Sequence, residues 1–288
     1  MFQKIGITTR QEVLYQKILE DIISFLIKNN KDVRLSTYAI KILPEKFLNL
    51  KTINYNEKLD LLIVYGGDGT MLRAVRNIKH ESTYILGINS GHLGFLSSMD
   101  IHNWQKKITE IFTGNYTIMP KNLFQVEVYR AGEKILNSKI LNEVVVSYKN
   151  IARLIHTDVS VGNKKVCKYS SDGLIVASPT GSTAYNLSAG GPIVHPSVEG
   201  VIITPICSHS LTQKPVVVPA KKKITLKFKN NENNLNLTLD GYKSFAINNN
   251  DKVTVSIINN PLLFIRQKGD SYFKILKKKL HWGKSLRL

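Results

Sequence analysis

The stretch Leu61-Leu62-Ile63-Val64-Tyr65-Gly66-Gly67-Asp68-Gly69-Thr70 decides the fold. Its apolar half has no polar break, as expected of a parallel-sheet strand covered on both faces. Two glycines end it, and glycine lets the backbone turn sharply and a ligand come close. Amides that follow a strand and open a helix point readily at phosphate oxygens, and Gly69-Thr70 can open such a helix. Asp68 then stands at the carboxyl end of the strand, where open α/β sheets place ligands. A carboxylate there can take a proton from a substrate hydroxyl or help hold Mg²⁺; a plain helix-capping turn has the same sequence. There is no lysine and no GxGxxG spacing, so the turn is neither a Walker A loop nor a dinucleotide fingerprint.

Outward from this turn the periodicity alternates. Phe2 to Thr8 reads as a buried strand, and Gln11 to Asn29 carries Val13, Leu14, Ile18, Ile22, Phe25 and Leu26 at helical spacing. Residues 33 to 60 are less regular and include Pro44, so irregular structure is expected there. A helix with Met71, Leu72, Val75 and Ile78 inward and a strand Tyr84 to Ile88 complete an open α/β layout. After about residue 100 comes a helix over Ile101 to Phe112. Short alternating strands follow: Phe124 to Val128, Val144 to Ser147, Leu154 to Val161, Leu174 to Ala177, Val216 to Val218, Ile224 to Phe228, Leu235 to Leu239 and Val253 to Ile258. The expected organisation is an N-terminal Rossmann-like α/β domain over residues 1–100 and a β-rich domain over 101–262. A final strand and basic helix, about 263–288, return to the first domain.

The chain has 288 residues, 43% of them hydrophobic, enough for a sizeable core. Its formal charge of +19 suits anionic ligands. The lysines are scattered and not interleaved with aromatics, so no specific nucleic acid is expected. No apolar run is long enough to span a bilayer, and the N-terminus lacks the features of a signal peptide. Cys167 and Cys207 are too few for a disulfide framework or a thiolate metal site. A reduced cytoplasmic setting is expected.

Further segments carry chemistry. Asn89-Ser90-Gly91-His92-Leu93-Gly94-Phe95-Leu96 forms a second glycine turn at a strand end, with His92 either a base or a structural residue. Ser171 to Tyr185 ends a short strand at Pro179 and then presents hydroxyls at Thr180, Ser182 and Thr183. Ser188-Ala189-Gly190-Gly191-Pro192 continues the run. Small residues and hydroxyls can fit closely around a base or sugar. Asn142-Glu143 can bind an adenine edge and a ribose diol, or can be an ordinary turn. Asp240-Gly241 reads as a type I′ hairpin turn. Thr204 to Leu211 can line a pocket, and no metal-ligating cluster is visible.

Taken in order, Gly66 to Thr70, Asn89 to Leu96, Asn142-Glu143, Ser171 to Tyr185 with Ser188 to Pro192, and Thr204 to Leu211 make the chain resemble the ATP-NAD kinases, which phosphorylate NAD to NADP. The resemblance implies an N-terminal α/β domain and a β-rich domain with NAD between them. It implies that Asp68 acts on the adenosine 2′-hydroxyl, and that Asn142 and Glu143 contact the adenosine part. Asp172 would stand near the nicotinamide end, and Thr180, Thr183, Ala184, Tyr185 and Ser188 around the dinucleotide. Gly66, Gly67, Gly69, Thr70, Asn89, Gly91 and Phe95 would shape the donor side, for ATP or, as in some bacterial members, polyphosphate, with a divalent cation such as Mg²⁺. Family members are commonly homodimers or homotetramers. The chain departs from the pattern at Ser178, Ser208 and Tyr242, where threonine, proline and glutamine are more usual. A lipid kinase of the diacylglycerol or sphingosine type shares the glycine-aspartate turn and is the enzymatic alternative; a non-catalytic NAD-binding regulator is the other.

Overall fold

The computed structural model describes residues 2–12, 16–80, 82–89, 91, 94–149, 154–229 and 234–283. The chain divides into two compact units, Met1–Pro120 with Leu262–Leu288, and Lys121–Pro261.

The first unit is α/β. In chain order it contains β1 (Lys4–Thr9), α1 (Gln16–Lys28), β2 (Asp32–Leu35), α2 (Thr37–Ile40), β3 (Lys51–Thr52), β4 (Leu61–Tyr65), α3 (Asp68–Asn77), β5 (Tyr84–Asn89), β6 (Met99–Asp100), α4 (Trp104–Phe112) and β7 (Tyr116–Lys121). All five residues of β4 are buried. Helix α1 buries Leu19, Ile22, Ile23 and Leu26, a single stripe at helical spacing. Val13 and Leu14 lie outside the described residues.

Residues 33 to 60 correct the expectation of irregular structure. They hold two parallel strands, β2 beside β1 and β3 beside β2. A buried Arg34 interrupts the apolar pattern of β2 and is paired with Glu57 and Asp32. Strand β3 is two exposed residues with no pattern to read.

The second unit is a β-sandwich. It contains β8 (Phe124–Arg130), β9 (Glu133–Ile140), β10 (Glu143–Tyr148), β11 (Ile155–Val161), β12 (Lys164–Ser171), β13 (Gly173–Ala177), α5 (Tyr185–Ser188), β14 (Gly200–Ile206), β15 (Val216–Pro219), β16 (Ile224–Phe228), β17 (Leu235–Leu239), β18 (Lys243–Ile247) and β19 (Lys252–Ile257). Its sheets run β15-β14-β13-β10-β17-β18 and β12-β11-β16-β19-β8-β9. One core gathers inward residues of both, including Val126, Val144, Val146, Val159, Val176, Leu226, Leu237 and Val253. Alternation sends Val145, Ile175, Ala177 and Ile202 to the other face of the first sheet, where Val194 covers them.

Four of these strands escape the sequence pattern: β9, β12, β14 and β18. The edge strands β9 and β12 bury few side chains and are rich in lysine. Strand β14 contains Pro205, which argues against a strand; β15 pairs only as far as Ile203, so Pro205 has a neighbour on one side only.

The chain then re-enters the first unit as β20 (Leu262–Gln267) and α6 (Tyr272–Leu280). The full sheet order there is β3-β2-β1-β4-β5-β20-β7, with β6 beside β5. Strand β20 pairs parallel to β5 through Leu263 and Phe264. Helix α4 contributes Ile108 and Ile111 to the core of this unit, so the unit runs to Pro120 and not to residue 100. Strands β1, β2, β3, β4, β5 and β20 run parallel, which brings their carboxyl ends to one edge. From β1 the chain moves outward through β2 and β3, then returns to the opposite side as β4. The loops after β1 and β4 therefore diverge, as at the ligand-binding crevice of open α/β sheets.

Candidate active site

In the first unit the glycine turn follows β4 directly. Gly66 has φ +149°, and a Cβ there would lie 2.6 Å from the Thr70 Oγ1. Gly67 caps α3 and Asp68 is its first residue, so the carboxylate sits at the positive end of the helix. Asp68 does not cap the helix with its side chain. Its Oδ2 accepts the Phe95 amide at 2.9 Å and its Oδ1 accepts the Leu96 amide at 3.1 Å. Both amides belong to the loop after β5. A Cβ on Gly94 would stand 1.9 Å from Asp68 Oδ1, so only glycine lets this loop come so close.

Ser97, fully buried, ties that loop together. Its Oγ accepts from the Gly94 amide at 2.8 Å and from Asn89 Nδ2 at 3.2 Å, while the Gly91 amide donates to Asn89 Oδ1 at 3.0 Å. His92 lies outside the described residues.

A cavity of about 180 Å³ opens at the divergence of the β1 and β4 loops, lined by Arg10, Gly67, Gly69, Thr70 and Arg73. Arg73 donates to the Thr9 carbonyl at 2.8 Å and lies over the Tyr38 ring at 4.2 Å. Arg10 pairs with the neighbouring Glu12 at 2.6 Å. Two guanidinium groups and a helix start around one small space suit phosphate oxygens. The motif reading missed both arginines. Their signals were present: Arg10 directly follows a buried strand, and Arg73 stands one helical turn after Thr70.

In the second unit Asn142 and Glu143 are buried at the start of β10. The Glu143 side chain takes the face opposite Val144, the side on which Val194 covers the sheet. Asp240 organises this corner. Its carboxylate accepts the amides of Leu141, Asn142 and Glu143 at 3.0, 2.8 and 3.2 Å. Asp240 and Gly241 both have positive φ, and the Tyr242 amide donates to the Leu239 carbonyl, so the type I′ turn forms as expected. That Asp240 also holds the Asn142-Glu143 corner was not legible, because the two segments are 97 residues apart.

Glu143 is 5% exposed, and its Oε2, like Asn142 Oδ1, has no hydrogen-bond partner among the described residues. Buried acceptors left open in this way are characteristic of a surface completed by a ligand. Burial, helped by the charge of Asp240, pushes the Glu143 carboxyl up to about 8.

The hydroxyl-rich segment is tied down by hydrogen bonds. Ser178 Oγ donates to the Leu141 carbonyl at 2.5 Å and accepts the Gly181 amide at 3.0 Å. A Cβ on Gly181 would stand 2.3 Å from the Asn142 carbonyl, so this glycine lets the segment lie directly on the Asn142-Glu143 corner. Asn186, fully buried, donates to the Ser182 and Pro192 carbonyls and accepts from the Thr204 hydroxyl at 2.7 Å. Thr180 is buried, Thr183 and Ala184 are half-buried, and Tyr185 and Ser188 are exposed on the same short stretch. Asp172 is half-buried between β12 and β13, its amide donating to the Ile206 carbonyl. The structure thus gathers Asn142, Glu143, Thr180, Thr183, Ala184, Tyr185 and Ser188 in one unit, and Asp68, the glycine turn, Asn89, Gly91 and Phe95 in the other.

Two family models match in order: the ATP-NAD kinase N-terminal domain over residues 10–116 and the ATP-NAD kinase C-terminal domain over residues 141–267. An NAD kinase of Magnetococcus marinus is 33% identical over 286 residues, covering 98% of this chain and 94% of the relative. One from Campylobacter lari is 36% identical over 282 residues, covering 98% and 96%. Among solved structures, an NAD kinase from Archaeoglobus fulgidus in complex with ATP has TM-score 0.74 at 25% identity, covering 96% of this chain and 98% of that one. Yeast NADH kinase complexed with NADH has TM-score 0.88 at 22% identity, covering 100% and 90%, a likeness of fold. With both halves matched in sequence order and relatives aligned along nearly the whole length, the chain belongs to the NAD kinase family.

Proposed function

We infer that the chain is an NAD kinase, transferring the terminal phosphate of ATP to the 2′-hydroxyl of the adenosine ribose of NAD to give NADP. The observation that carries this reading is the Asp68 carboxylate, fixed by the Phe95 and Leu96 amides at the start of α3, one residue from a cavity with two arginines. A carboxylate has about four lone-pair directions. Two are used by amides here, so others stay open to orient the hydroxyl and take its proton. Transfer of a phosphoryl group asks mainly for positioning and charge neutralisation. Gly67, Gly69 and Thr70 supply the helix start for the donor phosphates, and Arg10 and Arg73 supply positive charge.

Asn142 and Glu143 are assigned to the adenosine end, with Glu143 accepting from the ribose diol. Asp172 is assigned to the nicotinamide end, and Thr180, Thr183, Ala184, Tyr185 and Ser188 to the walls around the dinucleotide. Among the described residues no three His, Cys, Asp or Glu side chains gather as a ligand set. Mg²⁺ or another divalent cation is placed on the triphosphate itself. Polyphosphate as an alternative donor needs the same cavity. A homodimer or homotetramer is proposed from the exposed edge strands of the second unit. A reduced cytoplasmic setting is proposed from the free thiols Cys167 and Cys207. No helix among the described residues is long and apolar enough to cross a membrane.

The test is purified protein with Mg²⁺, NAD and ATP or polyphosphate, with NADP read by an NADP-specific dehydrogenase. Asp68→Asn is expected to abolish most turnover while NAD still binds. Phosphate delivered to a lipid alcohol and not to NAD would overturn the reading.

A further inference from the structure

Arg266 is an arginine buried to 3% exposure near the carboxyl end of β20. Its neighbour Ile265 enters the apolar core of the first unit, so Arg266 takes the opposite face of the sheet. Burying a guanidinium is costly unless it is paired and hydrogen-bonded. Here Nη2 donates to the Phe95 carbonyl at 2.8 Å, while Nη1 is buried with no hydrogen-bond partner among the described residues. Burial pushes the guanidinium down from the usual arginine range, and the charges of Asp270 and then Asp68 act against that, followed by Tyr272. An arginine kept in so incompletely satisfied a place calls for an explanation beyond packing.

The Phe95 carbonyl is one end of a peptide group whose other end is the Leu96 amide. That amide donates to Asp68 Oδ1. A single planar peptide therefore joins the Arg266 cation to the Asp68 anion, and the Phe95 amide binds the other carboxylate oxygen. Hydrogen bonds in series polarise one another, so a cation on the carbonyl makes the N–H on the far side a stronger donor. The planarity of the peptide fixes the direction of that donor as well.

We propose that Arg266 is a positioning residue for phosphoryl transfer: acting through the Phe95–Leu96 peptide, it orients and holds the Asp68 carboxylate in the pose that receives the substrate hydroxyl. The proposal rests on the assignment of Asp68 made above. Arg266 touches neither substrate in this scheme. Its loss acts on the reacting geometry and not on the binding surface of the second unit.

The experiment compares Arg266→Met, Arg266→Lys and Asp68→Asn in the full-length protein. Steady-state kinetics for NAD and ATP are measured together with the amide proton resonance of Leu96 and the thermal midpoint. Arg266→Met is expected to lower kcat about 100-fold, the scale of a small misplacement of a reacting group, with KM for NAD changed by less than about threefold. Its Leu96 amide resonance is expected to move upfield as the carbonyl loses its cation. Arg266→Lys, which keeps the charge and one donor, is expected to restore about a tenth of the activity and part of the resonance shift. A folded Arg266→Met protein with wild-type kcat would overturn the proposal. So would a loss of activity that merely tracks the loss of folded protein, with the Leu96 resonance unmoved. If Arg266→Met does not fold, Arg266→Lys decides: wild-type kcat with an unmoved resonance overturns the proposal, and reduced kcat with unchanged KM supports it. Asp68→Asn separates the two levels. Full turnover there would refute the Asp68 assignment itself, whereas an inactive Asp68→Asn beside a fully active Arg266→Met would refute only the role of Arg266.

Discussion

Asp240 holds Glu143 in two ways: its carboxylate accepts the Glu143 backbone amide at 3.2 Å, and its charge adds to burial in keeping the Glu143 side chain protonated. The same residue thus fixes the position of an acceptor and adds to burial in raising the pH at which it becomes charged.

The Glu143 carboxyl is raised from 4.5 to about 8. Below the lower value it is protonated in both folded and unfolded chains and has no effect on stability. Between the two values only the unfolded chain loses the proton, so stability of the ligand-free protein should fall as pH rises across this window. Above about 8 the penalty is constant. Denaturation curves from pH 5 to 9 should show this slope in the wild type and lose it in Glu143→Gln.

A ribose diol bound to Glu143 favours the ionised carboxylate, because the diol supplies donors. Binding of NAD near pH 7 should then release about one proton. Calorimetry in buffers of different ionisation enthalpy reads this directly, and Glu143→Gln should bind more weakly without the release.

Asp240→Asn keeps a residue type that tolerates positive φ but loses the charge on three amide hydrogen bonds. A loss of about 1–3 kcal/mol in folding stability is expected. The pH window assigned to Glu143 should also move down, since one of its two causes is gone.

Arg73 ties α3 to the end of β1 by donating to the Thr9 carbonyl. Arg73→Met should raise KM for ATP about tenfold or more, the scale of one charge-assisted hydrogen bond. KM for NAD should change far less. Equal effects on both substrates would point to a general disturbance of the turn.

Gly94→Ala puts a methyl group into Asp68 Oδ1. The carboxylate or the loop has to shift, and kcat should drop by about 100-fold while the protein stays folded. Circular dichroism alongside the kinetics checks both halves of this expectation.

The parallel core strands were legible because β4 and β5 are buried on both faces and read as unbroken apolar runs. Asp68 was legible because glycines on both sides set it at a strand end. Strand β2 was hidden by Arg34, an ionised residue inside the sheet whose partners Asp32 and Glu57 cannot be paired with it by pattern alone. Strand β14 was hidden by Pro205. The clamp on Asp68 comes from a loop 27 residues away, and the support of that loop by Arg266 spans 171. Contacts of such range leave no periodic trace. Only the tertiary arrangement of parallel strand ends brings them to one edge.

The placement of β20 between β5 and β7 has a consequence for how the molecule is made. During synthesis the sandwich unit is complete while the first sheet still has an unfilled lane, and a nascent chain of any length short of Gln267 cannot close it. Domains generally fold as units as they emerge. Arg266 is thus made after the whole sandwich unit, and the peptide that holds Asp68 receives its cation only then. A prematurely released product would carry the glycine turn intact and still lack the support behind its carboxylate.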